Sequence, residues 1–261
     1  MEAKQGMTKT CAAARVIEHS LIAGDVWKMV VVVPEIAATT RPGQFVHIRL
    51  TDTLDPLLRR PFSIADCNAA QGTLTLIYRV VGRGTALMTK LKPGDTLSCM
   101  GPLGNGFDLA ARRPLLVGGG MGLAPLLFLA RAFCSCPATV LMGGRNDREL
   151  FWPELYAGVC QNFHITSDDG SIGHRGFTVD LLPELLERDK FDIVYACGPH
   201  AMLKGVAAIT AEYDVPCQVS LEDYMACGVG ACLSCTCAST SGKRHKVCTD
   251  GPVFPAGEVV W

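Results

Sequence analysis

Residues 114–134 read PLLVGGGMGLAPLLFLARAFC, an apolar run preceded by Arg113 and interrupted near its end by Arg131. Its uncharged part, Pro114 to Ala130, is short for a bilayer span and holds four glycines and two prolines, so a membrane helix is the wrong reading. The run divides instead into a strand (PLLVGGG), a glycine-rich turn and a helix (PLLFLARAFC). Bare backbone amides at the start of a helix, just past a strand end, form a site that attracts phosphate.

The pattern continues toward the C-terminus. ATVLMGGR reads as a strand, FWPELYAGV as a helix, NFHITSDDG as a strand, TVDLLPELLE as a helix, FDIVYACGP as a strand and HAMLKGVAAITAEY as a helix. Strands alternating with helices predict an α/β domain over residues 112–216, with a parallel sheet covered on both faces. Upstream the period is different: VWKMVVVVP, PGQFVHIRL and TLTLIYRVV are short runs of branched residues between Pro and Gly signals. In the third, Leu74, Leu76, Tyr78 and Val80 share one face and Thr75, Ile77 and Arg79 the other. Residues 1–111 are thus expected to form a small antiparallel β-barrel. Residues 217–261 are rich in Gly and Cys and too few for an independent core, so whatever the cysteines hold must staple them.

Composition narrows the partners. A formal net charge of −1 without long basic runs leaves no electrostatic footprint for nucleic acid or an anionic membrane. Thirteen cysteines, an odd number, behind a polar opening MEAKQGMTKT suggest reduced thiols and a cytoplasmic address. The six histidines show no ligand spacing, and no Ser/His/Asp order or paired catalytic carboxylates stand out.

The tail is the most specific stretch. Cys227, Cys232, Cys235 and Cys248 are separated by four, two and twelve residues, the C-x4-C-x2-C spacing with a later fourth Cys that holds a plant-type [2Fe-2S] cluster. Four cysteines can also hold structural zinc, but zinc knuckles repeat a short Cys pair, and here only Cys232 and Cys235 make one. Cys237 would spoil the spacing and is left as the spare.

In the barrel, Arg60-Pro61-Phe62-Ser63 is followed by Tyr78-Arg79 and Gly84-Thr85. A guanidinium can clamp a pyrophosphate, a serine hydroxyl can anchor an isoalloxazine edge, and a tyrosine can pack on a ring or ribityl chain. In the α/β domain the phosphate-binding candidates are Gly119, Gly120, Met121 and Gly122, with Cys197-Gly198-Pro199 closing the last strand. Asp168, beside Asp169 after the third strand, can accept from ribose hydroxyls and repel a 2′-phosphate, which favours NAD over NADP.

The Arg60–Ser63 motif resembles the flavin-binding barrel of the ferredoxin-NADP reductase superfamily. Together with GPLGNGF at 101–107, GGGMGLAPL, ACGPHAML at 196–203 and SLEDYMACGVGACLSC at 220–235, the chain resembles the electron-transfer subunits of class 1B, NAD-dependent dihydroorotate dehydrogenase over nearly its whole length. Glu222 and Met225, ahead of the first cluster Cys, carry the resemblance most specifically. It implies FAD on the barrel, with Ile77 added to the residues that hold it, a [2Fe-2S] cluster in the tail, and NAD+ as acceptor. It further implies that Cys197 maintains the geometry of hydride transfer, and that the partner is an FMN-containing catalytic subunit in a heterotetramer of two of each, in pyrimidine biosynthesis. Three rivals compete: a reductase fused to a ferredoxin domain, for which the tail is too short; a subunit of a hydrogenase or bifurcating transhydrogenase; and a zinc-stapled binding protein without activity.

Overall fold

A computed structural model describes residues 9–51, 53–133, 136, 138–160 and 162–261. The polar opening up to residue 8, and Cys134 at the end of the expected helix, lie outside the described residues.

Six strands close the barrel. They are β1 (Thr10–Ala23), β2 (Val26–Val32), β3 (Phe45–Arg49), β4 (Arg60–Asn68), β5 (Thr73–Arg79) and β6 (Thr96–Leu103), in the order β1-β2-β5-β4-β3-β6, with helices α1 (Pro34–Ala37) and α2 (Arg83–Met88) in the connections. All pairings are antiparallel, and closure leaves no open sheet edge. Leu74, Leu76 and Tyr78 point into the barrel with Val46, Ile48, Phe62 and Ile64, following the period-2 pattern of the sequence. Ile77, on the opposite face, is buried in a second core that joins the barrel to the α/β domain.

The second layer is a seven-stranded sheet. Its strands are β7 (Pro114–Gly119), β8 (Thr139–Gly144), β9 (Asn162–Ser167), β10 (His174–Arg175), β11 (Ile193–Cys197), β12 (Cys217–Ser220) and, near the end of the chain, β15 (Val253–Pro255). Their order is β10-β9-β8-β7-β11-β12-β15, parallel except where β15 runs antiparallel to β12. The helices are α3 (Leu123–Ala132), α4 (Trp152–Tyr156), α5 (Thr178–Arg188) and α6 (His200–Glu212). Every residue of β7 is buried, as expected of a central parallel strand with both faces covered. Leu123 to Ala130 of α3 are all buried, and Arg131 Nε ion-pairs with Asp66 of β4 at 3.2 Å. Wedged between sheet and barrel, α3 is apolar on nearly all sides, which accounts for the hydrophobicity of its sequence. No helix among the described residues is long and apolar enough to cross a membrane.

The sheet does not stop at residue 216. β12 extends it beside β11 and β15 pairs with β12, so both ends of the expected tail belong to the α/β layer. Between them runs the cysteine loop, with the small ladder β13 (Thr236–Ala238) and β14 (Arg244–Lys246). The loop is also tied to the barrel. Asn105 donates from Nδ2 to the carbonyls of Asp250 (2.7 Å) and Thr249 (3.3 Å), and its backbone N–H bonds Gly251 O at 2.6 Å. Asn105→Ala removes the two side-chain bonds and is expected to cost about 1–2 kcal/mol. The loss should appear in urea unfolding and as faster amide exchange confined to residues around 246–252, leaving α3 protected.

Candidate cofactor sites

The strand order reverses between β7 and β11: β8 continues on one side and β12 on the other. At such a switch point the carboxyl ends of the strands leave a crevice, and a cleft of about 620 Å³ opens there. It is lined by Gly119 to Gly122, Gly143 to Arg145, Thr166, Asp168, Thr178, Gly198, Pro199, Arg79 and Glu222, among others. Its floor requires glycine at one contact in particular: a Cβ on Gly122 would lie 2.2 Å from the carbonyl oxygen of Cys197. The loop GGGMG therefore sits directly on the C-G-P turn, and two motifs 75 or more residues apart in the chain form one surface.

The cleft has the polar features of a nucleotide site. Thr166 and Thr178 each bury a hydroxyl without a hydrogen-bond partner, and both line the cleft. Buried polar groups left unpaired cost about 1–3 kcal/mol each, a cost that ribose or phosphate oxygens would remove. Of the two acidic residues after β9, Asp168 faces the cleft, whereas Asp169 caps its own turn by accepting from the Ser171 N–H at 2.9 Å. Arg145 also reaches the cleft, but it donates from Nε to Glu149 Oε1 at 2.9 Å, and Arg79 of β5 approaches the same oxygen at 3.3 Å. The hydrogen bond from Arg145 holds the Glu149 carboxyl below the usual carboxylate range. Arg145 follows the strand-end glycines Gly143 and Gly144, whereas Thr166, Thr178 and Glu149 carry no local sequence signal, because each acquires its place from the packing of separate elements.

Cys197 ends β11 at 1% exposure. Burial first, and then the nearby charge of Glu222, push its thiol well above the ordinary range. Burial thus disfavours its thiolate, and its carbonyl lies directly behind Gly122 at the cleft floor. Glu222 lies at the cleft edge just past β12, with its pKa raised by burial. The sequence drew attention to this residue only as a neighbour of the cysteines.

On the barrel, Arg60 and Gly84 come together: a Cβ on Gly84 would lie 2.9 Å from Arg60 Nε. The first turn of α2 thus presents backbone beside a guanidinium, the combination a pyrophosphate needs. The Thr85 hydroxyl shapes that turn, accepting from the N–H groups of Val81 (2.9 Å) and Gly82 (3.1 Å). Ser63 and Pro61 lie on the outer face of β4, opposite Phe45 and His47 of β3. Phe62 and Tyr78 face inward, their rings edge-on at 5.7 Å. Tyr78 is 3% exposed, and its hydroxyl bonds His19 Nε2 at 2.9 Å. Its alternation with Leu74 and Leu76 places the Tyr78 ring in the barrel core. The Ile77 side chain is likewise committed, to the interdomain core. At these two positions the backbone is what remains for a cofactor.

The four tail cysteines pair two by two. The Cys227 sulfur accepts backbone N–H groups of Val229 (3.4 Å), Ala231 (3.3 Å) and Cys232 (3.4 Å). Cys232 is exposed, and hydrogen bonds from Ser234 and then Cys227 lower its pKa to about 6. Cys235 and Cys248 form the buried pair, with burial and the adjacent Cys235 raising Cys248. Two pairs of thiols match two irons with two thiolates each. Among the described residues no three His, Cys, Asp or Glu side chains converge on a single-ion site. Cys237 lies on β13 opposite His245.

Barrel, switch-point cleft and connectivity define a ferredoxin reductase-like flavoprotein. The oxidoreductase FAD-binding domain matches residues 13–107, and a ferredoxin reductase of carbazole 1,9a-dioxygenase shares the fold at 24% identity and a TM-score of 0.68 over 81% of this chain and 68% of its own. More particularly, the iron-sulfur cluster binding domain of dihydroorotate dehydrogenase B matches residues 222–260. The dihydroorotate dehydrogenase B (NAD+) electron transfer subunit of Desulforamulus reducens is 41% identical over 95% of this chain and 97% of its own. That of Bacillus caldolyticus is 43% identical over 84% and 87%. The chain belongs to this family of electron transfer subunits. It also resembles, at 33% identity and a TM-score of 0.85 over 98% of this chain and 92% of the other, a structure described as the NADH-dependent reduced ferredoxin-NADP oxidoreductase of flavin-based electron bifurcation.

The Glu222 shift has a measurable consequence. A carboxyl whose folded pKa is raised makes the native state bind more protons than the unfolded one, so stability falls as pH rises from the ordinary value of 4.5 through the folded pKa. Glu222→Gln is expected to flatten that part of the urea-unfolding profile, removing a slope of up to about 1.4 kcal/mol per pH unit.

Proposed function

We propose that the chain carries electrons from dihydroorotate, oxidised at the FMN of a catalytic subunit, to NAD+ for pyrimidine biosynthesis. The observation that carries this reading is the juxtaposition of three elements in one chain: the paired cysteine loop, the Arg60–Ser63 face of the barrel, and the switch-point cleft. Cys227, Cys232, Cys235 and Cys248 hold the [2Fe-2S] cluster. Arg60 and the α2 turn at Gly84 and Thr85 hold the FAD pyrophosphate, while Ser63 and the backbone of residues 77–79 meet the ring. The loop Gly119–Gly122 and the turn Cys197–Pro199 hold the nicotinamide and its phosphates, with Asp168, Thr166 and Thr178 toward the ribose. Bound there, the cluster supplies one-electron exchange and FAD the conversion between single electrons and a hydride pair.

The protein's own contribution is to position these groups and exclude water. Cys197, kept as a neutral thiol by burial, and Gly122 on its carbonyl set the depth of the cleft, so that the ring carbon and nitrogen exchanging hydride are brought close. The exposed Cys232 marks the side from which electrons arrive. Tyr224 at 91% exposure and Leu233 at 61% surround that side, which supports contact with another protein there, in an assembly of two subunits of each kind. The absence of disulfides among the described cysteines supports a cytoplasmic site of action.

Co-expression with an FMN-containing dihydroorotate dehydrogenase tests the reading. A purified complex that reduces NAD+ with dihydroorotate supports it; a chain that instead joins a ferredoxin-NADP oxidoreductase partner replaces it with the bifurcating alternative. Cys235→Ser is expected to reduce bound iron to below one-tenth and abolish dihydroorotate-to-NAD+ flow, with Cys237→Ser unaffected, as read by iron analysis and the visible spectrum. Asp168→Asn removes a charge that opposes a 2′-phosphate and is expected to narrow the NADH-over-NADPH preference in kcat/KM by roughly tenfold, about 1.4 kcal/mol.

A further inference from the structure

His47 is the least expected polar group in the molecule. It lies in β3 between Val46 and Ile48, is 0% exposed, and buries both ring nitrogens without a hydrogen-bond partner. Burying an imidazole with neither nitrogen paired costs about 1–3 kcal/mol, and such groups in a folded protein call for a partner.

Its surroundings indicate which one. On β3, His47 stands opposite Pro61 of the Arg60–Ser63 segment and Met100 of β6. Above it lies the cysteine loop: a Cβ on Gly228, the residue after Cys227, would fall 2.8 Å from His47 Nδ1 and 3.0 Å from its Cε1. With φ of +68°, Gly228 also occupies backbone space that side-chain-bearing residues rarely enter. The loop therefore approaches the imidazole as closely as an unsubstituted backbone allows. Phe45 lies edge-on to the ring at 5.8 Å, and Leu103 lies 3.2 Å from the same Cβ position on Gly228. In either tautomer an imidazole carries at least one ring N–H to donate. The histidine thus stands on the wall shared by the Arg60–Ser63 face and the cysteine loop.

We propose that His47 is a positioning residue of the electron step between flavin and cluster, donating its N–H to an inorganic sulfide of the cluster. The inference rests on the assignment of the cluster to the four cysteines. A donor to a cluster sulfur stabilises the reduced, more negative form and raises the reduction potential. The same contact fixes the cluster loop to the strand beside the flavin segment, coupling distance and potential in one residue.

The test uses the full chain purified anaerobically, with FAD and iron contents as loading controls. In an EPR-monitored redox titration, His47→Phe, which keeps a ring but no donor, is expected to lower the cluster potential by about 59 mV, a tenfold change in a one-electron equilibrium. His47→Gln, which restores an N–H, is expected to recover at least half of that. In wild-type protein labelled with 15N-histidine, pulsed EPR of the reduced cluster is expected to show a nitrogen coupling that His47→Gln removes. If the wild type has no iron-sulfur signal, both the cysteine assignment and this inference fall. If the signal is present but His47→Phe titrates at the wild-type potential, the inference alone is overturned. Should His47→Phe lose its iron, the wild-type nitrogen coupling decides, and its absence overturns the proposal.

Discussion

β15 lies antiparallel on β12, with Val219 opposite Phe254, and this pairing decides where the cysteine loop falls. The loop leaves the sheet at Leu221 and returns at Pro252, whose carbonyl accepts the Leu221 N–H at 2.9 Å. Its ends are thus fastened to the same sheet that forms the nucleotide cleft, and closing a loop of this length adds little entropic cost over a shorter one. Cys235, Val247 and Cys248 pack in one core with Phe45 and Leu103 of the barrel. Without that strand pair the loop would be a loose appendage; with it, the loop rests on the outer face of β3, next to the strand that carries Arg60 and Ser63.

The distribution of charge follows from this placement. Cys197 and Glu222, on the cleft side, are both shifted toward their neutral forms by burial. Cys232, on the loop's outer side, is shifted the opposite way by hydrogen bonds to its sulfur. A thiol that ionises near neutral pH is ready to ligate iron. The thiol and carboxyl on the cleft side and the thiol on the loop's outer side are thus shifted in opposite directions.

What was legible in the sequence was local. The change of period near Arg112 separates barrel from α/β layer because strands and helices repeat at different intervals, and the cysteine spacing is readable because three ligands lie on one turn of chain. Tyr78 shows how far such reading reaches. The alternation that placed it with Leu74 and Leu76 argued for the barrel interior, and its ring lies there. Glu222, Thr166, Thr178 and His47 were invisible as site residues for a common reason: each is polar by composition but becomes notable only when another segment covers it. The sheet likewise gained β12 and β15 from a stretch that looked like tail, because two short strands carry no periodic signal of their own.

Arg79 shows how the two layers share one site. It ends β5, yet its guanidinium lies 3.3 Å from Asp25 in the barrel and 3.3 Å from Glu149 beyond β8. Glu149 is simultaneously held by Arg145, so the two arginines near the cleft mouth share one carboxylate. An unpaired arginine at this place would attract a 2′-phosphate through bidentate hydrogen bonds. With Glu149 engaged by both arginines and Asp168 adding its own negative charge, the cleft mouth offers a dianion little attraction while leaving acceptors for ribose hydroxyls. The ion pairs that fasten the barrel to the α/β layer thus also set the charge at the cleft mouth, which ties the electrostatics of the cleft to the fit between the two domains.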